Sequence, residues 1–226
     1  MSSPSTFSRR SLLATGAGAV AATGLATPAN AAAEVPFKAR KVNRPKRKPN
    51  LLVILGDDLG WADLSAYGSP DIKTPNLDRL AASGVRFTDA YSASSVCSPT
   101  RFGLYTGRYP GRLAGGLPEP IASPNELHGI PLDHPTLASL LKDQGYATAL
   151  FGKWHCGFLP WYSPTRVGWD EFFGNFSGGI DYFSKFSHNG AYDLYEDEVE
   201  VEDLRYYTEI VTEKAVSFIE RDHDAP

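Results

Sequence analysis

Cysteine is scarce in this chain: Cys97 and Cys156 are the only two in 226 residues. Two cysteines staple little, so a chain of this length rests on its own hydrophobic core rather than on a disulfide framework. An excess of charge of one sign is missing as well. Lys and Arg number 22 against 26 Asp and Glu, a formal net charge of −4, and nothing in that balance invites a nucleic-acid partner. A membrane-length apolar run is also lacking. The stretch Leu12–Ala26 is rich in Ala and Gly, short, and interrupted by Gly and Thr, which excludes a stable membrane anchor. Beyond that N-terminal stretch there is no internal repeat and no low-complexity tract.

What is present begins with a targeting signal. Ser8-Arg9-Arg10-Ser11-Leu12-Leu13 opens the weak apolar run, which closes at the small-residue site Pro28-Ala29-Asn30-Ala31. Paired arginines before a weak apolar region read as a twin-arginine export signal over 1–31, so a periplasmic or extracellular location is expected. Cleavage after Ala31 removes Arg9 and Arg10 and no acid, taking the formal charge from −4 to −6. Residues 32–49 follow as a basic linker. Seven basic residues lie between Lys38 and Lys48 beside Pro45 and Pro49, a pattern of solvated like charge.

The remainder, 50–226, alternates strand and helix signals. Leu51-Leu52-Val53-Ile54-Leu55 is an uninterrupted apolar run of strand length, as expected of a parallel strand covered on both faces. It ends at Gly56-Asp57-Asp58, placing two carboxylates at the carboxyl edge, where open α/β sheets bind ligands. Thr74 and Pro75 start a helix that Gly84 ends, and Val85–Tyr91 alternates like a strand. Ser98–Tyr105 suits a short helix, and Thr136–Gln144 places Leu137, Leu140 and Leu141 on one helical face before Gly145. Tyr146–Phe151 reads as the next buried strand, the acidic stretch Asp193–Asp203 as an exposed hairpin or loop, and Thr208–Arg221 as an amphipathic helix. This order predicts an α/β layered fold.

Three constellations carry chemistry. Asp57 and Asp58 are hard oxygen donors suited to Ca²⁺ or Mg²⁺, although Gly-Asp-Asp after a strand also suits a solvated turn or helix cap. Cys97-Ser98-Pro99-Thr100-Arg101 sets Cys97 and Arg101 four apart, on one face of a helix. Gly145-Tyr146-Ala147-Thr148-Ala149-Leu150-Phe151-Gly152-Lys153-Trp154-His155 sets Lys153 and His155 two apart, facing the same way in extended backbone. Cys97 and Cys156 also allow a disulfide in an exported protein, which competes with any chemistry that needs a free Cys97. His128, His134, His188 and His223 fit no motif and read as surface or hydrogen-bonded side chains.

The cysteine motif continues into Phe102-Gly103-Leu104-Tyr105-Thr106-Gly107-Arg108. With the Gly145–His155 segment it resembles the sulfatase family of the alkaline phosphatase superfamily, over roughly Pro49 to Ala225. The resemblance implies an alkaline-phosphatase-like layered sheet with helices on both faces, incomplete at the C-terminus, and an N-terminal portion of a sulfatase catalytic domain over 50–226. It implies that Cys97 is the precursor of a formylglycine, made by a formylglycine-generating enzyme, whose hydrate attacks sulfur. Asp57, Asp58 and residue 97 would bind Ca²⁺ or Mg²⁺, Arg101 would hold the formylglycine, Lys153 would contact the sulfate and His155 the formylglycine hydroxyl. An Asp-Asn or Asp-His pair, a further histidine and a second lysine would come from sequence after Pro226. Phe151, where smaller residues are usual, and Cys156, where leucine is common, depart from the family pattern. Gly168–Gly174 and Gly178–Phe183 resemble segments that flank the substrate pocket, though their aromatic content is better read as packing.

The expected activity is hydrolysis of aryl or carbohydrate sulfate monoesters. A phosphonate or phosphodiester hydrolase of the same superfamily is the enzymatic alternative, and an inactive sulfatase-like binding module the other.

Overall fold

The computed structural model describes residues 48–118, 120–221 and 223. The export signal read over 1–31 and nearly all of the basic linker read over 32–49 lie outside the described residues. Among the described residues no helix is long and apolar enough to cross a membrane.

The helices form where their start and stop signals stand. Helix α1 spans Pro75–Ser83, with proline in its first turn, and Gly84 closes it by donating to Leu80 O. Helix α2, Cys97–Thr106, ends at Gly107, whose left-handed φ of 66° suits glycine. Helix α3 is short, Leu137–Lys142, and is held at its start by reciprocal bonds between Thr136 and Ser139. The Ser139 amide donates to Thr136 Oγ1 at 3.1 Å, and the Thr136 amide to Ser139 Oγ at 2.8 Å. Helix α4 spans Tyr207–Glu220.

Strand β1, Ala149–Lys153, pairs in parallel with β2, Glu171–Asn175. Two-residue strands β3, Tyr195–Glu196, and β4, Val199–Glu200, extend the sheet antiparallel in the order β1-β2-β3-β4. They are the hairpin expected in the acidic stretch. Asp197 at its turn pins the hairpin to β2: its amide donates to Phe172 O at 2.7 Å and its carboxylate accepts from the Phe172 amide at 2.9 Å.

Strand periodicity then builds two cores. Successive side chains of a strand point to opposite faces. Leu150 and Phe172 face a cluster with Phe102 and Tyr105 of α2, Ala138 of α3, and Trp154, Trp169 and Phe176. Phe151 and Phe173 face the other way, toward Tyr207 and Ile210 of α4, with Ile180 and Leu194. Helices therefore cover both faces of the sheet, as the α/β reading requires. Each fully buried Phe or Leu contributes roughly 1.5–3 kcal/mol relative to exposure. The strands come close enough that a side chain at Gly174 is excluded: a Cβ there would stand 1.9 Å from the Gly152 carbonyl oxygen.

Two expected strands are not strands. Leu51–Leu55 pairs with nothing among the described residues, and its side chains are between 41% and 74% exposed. It lies beside β1 by its ends, since Tyr146 Oη donates to Pro49 O at 3.1 Å and Lys153 Nζ reaches Asp57 at 2.6 Å. Val85–Tyr91 is likewise unpaired, with Val85, Phe87 and Tyr91 exposed. A strand is stabilised by a neighbouring ladder and a covered face, not by its own composition. Neither run has such a neighbour here.

Candidate active site

Asp57, Arg101 and Lys153 come from three separate segments and meet at the carboxyl end of β1. Lys153, the last residue of β1, places Nζ 2.6 Å from Asp57 Oδ2. Arg101, one turn into α2, places a guanidinium nitrogen 3.5 Å from the same oxygen and donates its other terminal nitrogen to Lys153 O at 2.6 Å. The Arg101 and Lys153 side chains are only 8% and 12% exposed, and the Asp57 side chain 37%. Two cations thus share one carboxylate in a partly dry site, which leaves one positive charge over. Burial alone would raise the Asp57 carboxyl, but the hydrogen bond and charge of Lys153, with Arg101 behind it, hold it below its ordinary value.

His155 follows β1 at a left-handed φ of 53° and is buried. Its Nε2 lies 3.1 Å from the Ile121 carbonyl oxygen. A carbonyl only accepts, so Nε2 carries the proton. Burial, with the charge of Lys153, pushes the imidazole down to about 4, so the ring is neutral near pH 7. Nδ1 is then a buried lone pair, and it has no hydrogen-bond partner. Gly178 makes room for the ring: a Cβ there would stand 2.8 Å from Cε1.

The first turn of α2 is wired to this histidine. Ser98 Oγ accepts from the Ile121 amide at 3.2 Å, while the Ile121 carbonyl meets His155. Cys97 is half-buried at the first position of α2, next to Ser98 and one turn before Arg101. Behind the site, Trp154 stacks on Tyr105 with ring centroids 5.3 Å apart, and Trp169 meets both edge-on. That aromatic block fixes the strand end from which Lys153 and His155 project in turn.

Sequence reasoning named Asp57, Arg101, Lys153 and His155, which the fold assembles, but missed Ile121 and Gly178 as parts of the site. Ile121 contributes only backbone, for which no side-chain signature exists. Gly178 lay in a noted segment, and its reason is the His155 ring.

For a divalent cation the donors are partial. Asp57 and Asp58 occupy one turn, Asp58 at φ 54°, yet Asp57 is bonded to Lys153. Among the described residues no three His, Cys, Asp or Glu side chains converge on a metal position. The six to eight oxygens that Ca²⁺ prefers are not assembled by these residues.

The Sulfatase family model matches residues 49–226. Arylsulfatase A of Bos taurus is 48% identical over 128 residues, covering 56% of this chain and 25% of its own length. N-acetylgalactosamine-6-sulfatase of Sus scrofa is 46% identical over 132 residues, with the same shares. The chain thus spans about a quarter of the length of these curated relatives. Among solved structures, Ps i-CgsB superposes with a TM-score of 0.68 at 35% identity, covering 77% of this chain and 42% of that one. A second structure of it holds k-i-k-neocarrahexaose. The PsFucS1 sulfatase from Pseudoalteromonas sp. superposes with a TM-score of 0.63 at 30% identity, covering 76% and 40%. The match runs through the whole assembled cluster, from the Asp57 turn to the His155 strand end, and this chain belongs to the sulfatase family.

Proposed function

We propose that this chain supplies the nucleophile and half of the anion site of a sulfuric ester hydrolase. The observation that carries the reading is the convergence of Arg101, Lys153, Asp57 and neutral His155 beside the helix that begins at Cys97. A sulfate monoester is anionic, and its hydrolysis needs positive charge around the sulfuryl oxygens and a positioned nucleophile. Arg101 and Lys153 supply that charge from a site with little water, where it acts at low dielectric.

Cys97 is proposed as the precursor of formylglycine, with a formylglycine-generating enzyme as the maturation partner. The hydrated aldehyde would supply two hydroxyls, one to attack sulfur and one to expel sulfate. Arg101, on the same helical face, would orient residue 97. His155 Nδ1, a buried acceptor without a donor, suits a hydroxyl that must be aligned and relieved of its proton. Asp57, Asp58 and residue 97 are proposed as part of a Ca²⁺ or Mg²⁺ shell, the remaining oxygens coming from elsewhere.

The substrate is proposed to be an aryl or saccharide sulfate, a class consistent with the oligosaccharide held by one structural relative. Export by the twin-arginine signal would bring the protein to the periplasm or beyond, where sulfated polymers are met. The test is an assay of aryl sulfate against aryl phosphodiester hydrolysis after co-expression with a formylglycine-generating enzyme, alongside mass spectrometry of the Cys97 peptide. In a protein that also supplies the remaining metal oxygens, sulfate ester turnover is expected to fall about a hundredfold in Lys153→Ala. Preference for the phosphodiester, or a wholly unconverted Cys97, would overturn the reading.

A further inference from the structure

Cys156 has no part in the chemistry above, yet it is fully buried at the site and its thiol is free. Its Sγ lies 3.9 Å from the carbonyl oxygen of Ser98, the residue that follows Cys97. The two cysteines also flank the two ends of one hydrogen-bonded chain. Ser98 Oγ accepts from the Ile121 amide, and the Ile121 carbonyl meets His155, the residue before Cys156. The fold therefore ties the neighbourhoods of positions 97 and 156 together by one direct contact and one path through Ile121, although 58 residues separate Ser98 from Cys156 in sequence. They are the only cysteines in the chain, so neither has another intramolecular partner.

We propose that Cys97 and Cys156 form a disulfide within the folded chain when it meets a disulfide oxidant, and that this bridge withholds Cys97 from conversion. Cys97 is half-buried and Cys156 is inaccessible, so the order of events is fixed by access. The Cys97 thiolate attacks one sulfur of a small-molecule or protein disulfide, forming a mixed disulfide and releasing one thiolate. Cys156 then loses its proton and attacks the Cys97 sulfur, releasing the second thiolate. The two cysteines give up two electrons and two protons; the oxidant's S–S bond takes the electrons. Burial pushes the Cys156 thiol up, which makes the second step the slow one and protects Cys156 from every attacker but its neighbour. The consequence for conversion rests on the formylglycine reading; the bridge itself does not.

The experiment incubates the reduced full chain with oxidised glutathione in native buffer and, in parallel, in urea. Thiols are counted, and a non-reducing digest is mapped by mass spectrometry. The expected result is loss of both thiols and a Cys97–Cys156 linked peptide that appears faster in native buffer than in urea. Cys156→Ser should instead accumulate a glutathione adduct on Cys97. The inference is overturned if wild-type chain keeps that adduct with the Cys156 thiol still titratable, if the linked peptide forms only in urea, or if only chain-to-chain links appear. A final arm unfolds reduced and bridged chain in urea, keeping the bridge intact, and after dilution offers each, still unfolded, to a formylglycine-generating enzyme, which reads the cysteine motif in an unfolded segment. If the linked peptide forms but neither sample is converted, the formylglycine reading fails and the bridge stands.

Discussion

His155 shows how one side chain can be committed by its surroundings. The ring is locked as a neutral donor toward Ile121 and offers a lone pair on the other side. Its pKa falls from 6.5 to about 4 on folding, so protons bind the unfolded chain better. Stability is therefore unaffected above about pH 6.5, falls as the pH drops from there toward 4, and has lost about 3 kcal/mol by the end of that window. The Asp57 carboxyl is depressed instead, so its own loss falls below its ordinary 3.8 and does not overlap. Urea unfolding at several pH values should show this slope, and His155→Gln should flatten it. An unchanged slope in the variant would place the titration elsewhere.

At the scale of elements, caps and close approaches decide boundaries. Thr136 holds the start of a six-residue helix, too short to persist on propensity alone. Thr136→Ala is expected to cost about 1 kcal/mol in chemical denaturation, with little effect on the ion cluster. Gly174 is a harder constraint, because its Cβ would meet backbone rather than a movable side chain. Gly174→Ala should force β1 from β2 and destabilise by more than about 3 kcal/mol. Since Lys153 pairs with Asn175 in that register, the variant should also lose the Lys153–Asp57 contact, readable as a rise in the Asp57 pKa by NMR. Helix ends were legible because capping is local chemistry. Strand identity was legible only in part: Tyr146–Phe151 overlaps β1, but among the described residues Leu51–Leu55 and Val85–Tyr91 lack the neighbour that a strand depends on and that no local pattern reveals.

For the whole molecule the exposed run Leu51–Leu55 stands out. Five consecutive apolar residues face solvent, and Leu59, Trp61, Val85 and Phe87 are exposed as well. An apolar surface with an unpaired edge binds hydrophobic dyes and promotes association. The chain by itself is expected to bind such a dye strongly. The double variant Leu52→Lys, Ile54→Lys should reduce both dye fluorescence and light scattering while α4 remains packed on the sheet. Dye binding equal to wild type would mean the surface lies elsewhere.

The sequence by itself determined the family motifs, the helix starts and the residue types of the site, because these depend on side-chain chemistry and spacing within a few turns. It also set the alternation that splits β1 and β2 between two cores. Only the tertiary structure decided that Asp57 is held by Lys153 and Arg101, that His155 leans on a backbone carbonyl, and that Cys156 lies against the helix bearing Cys97. Those outcomes join segments far apart in the chain, and only packing in three dimensions fixes which of them meet.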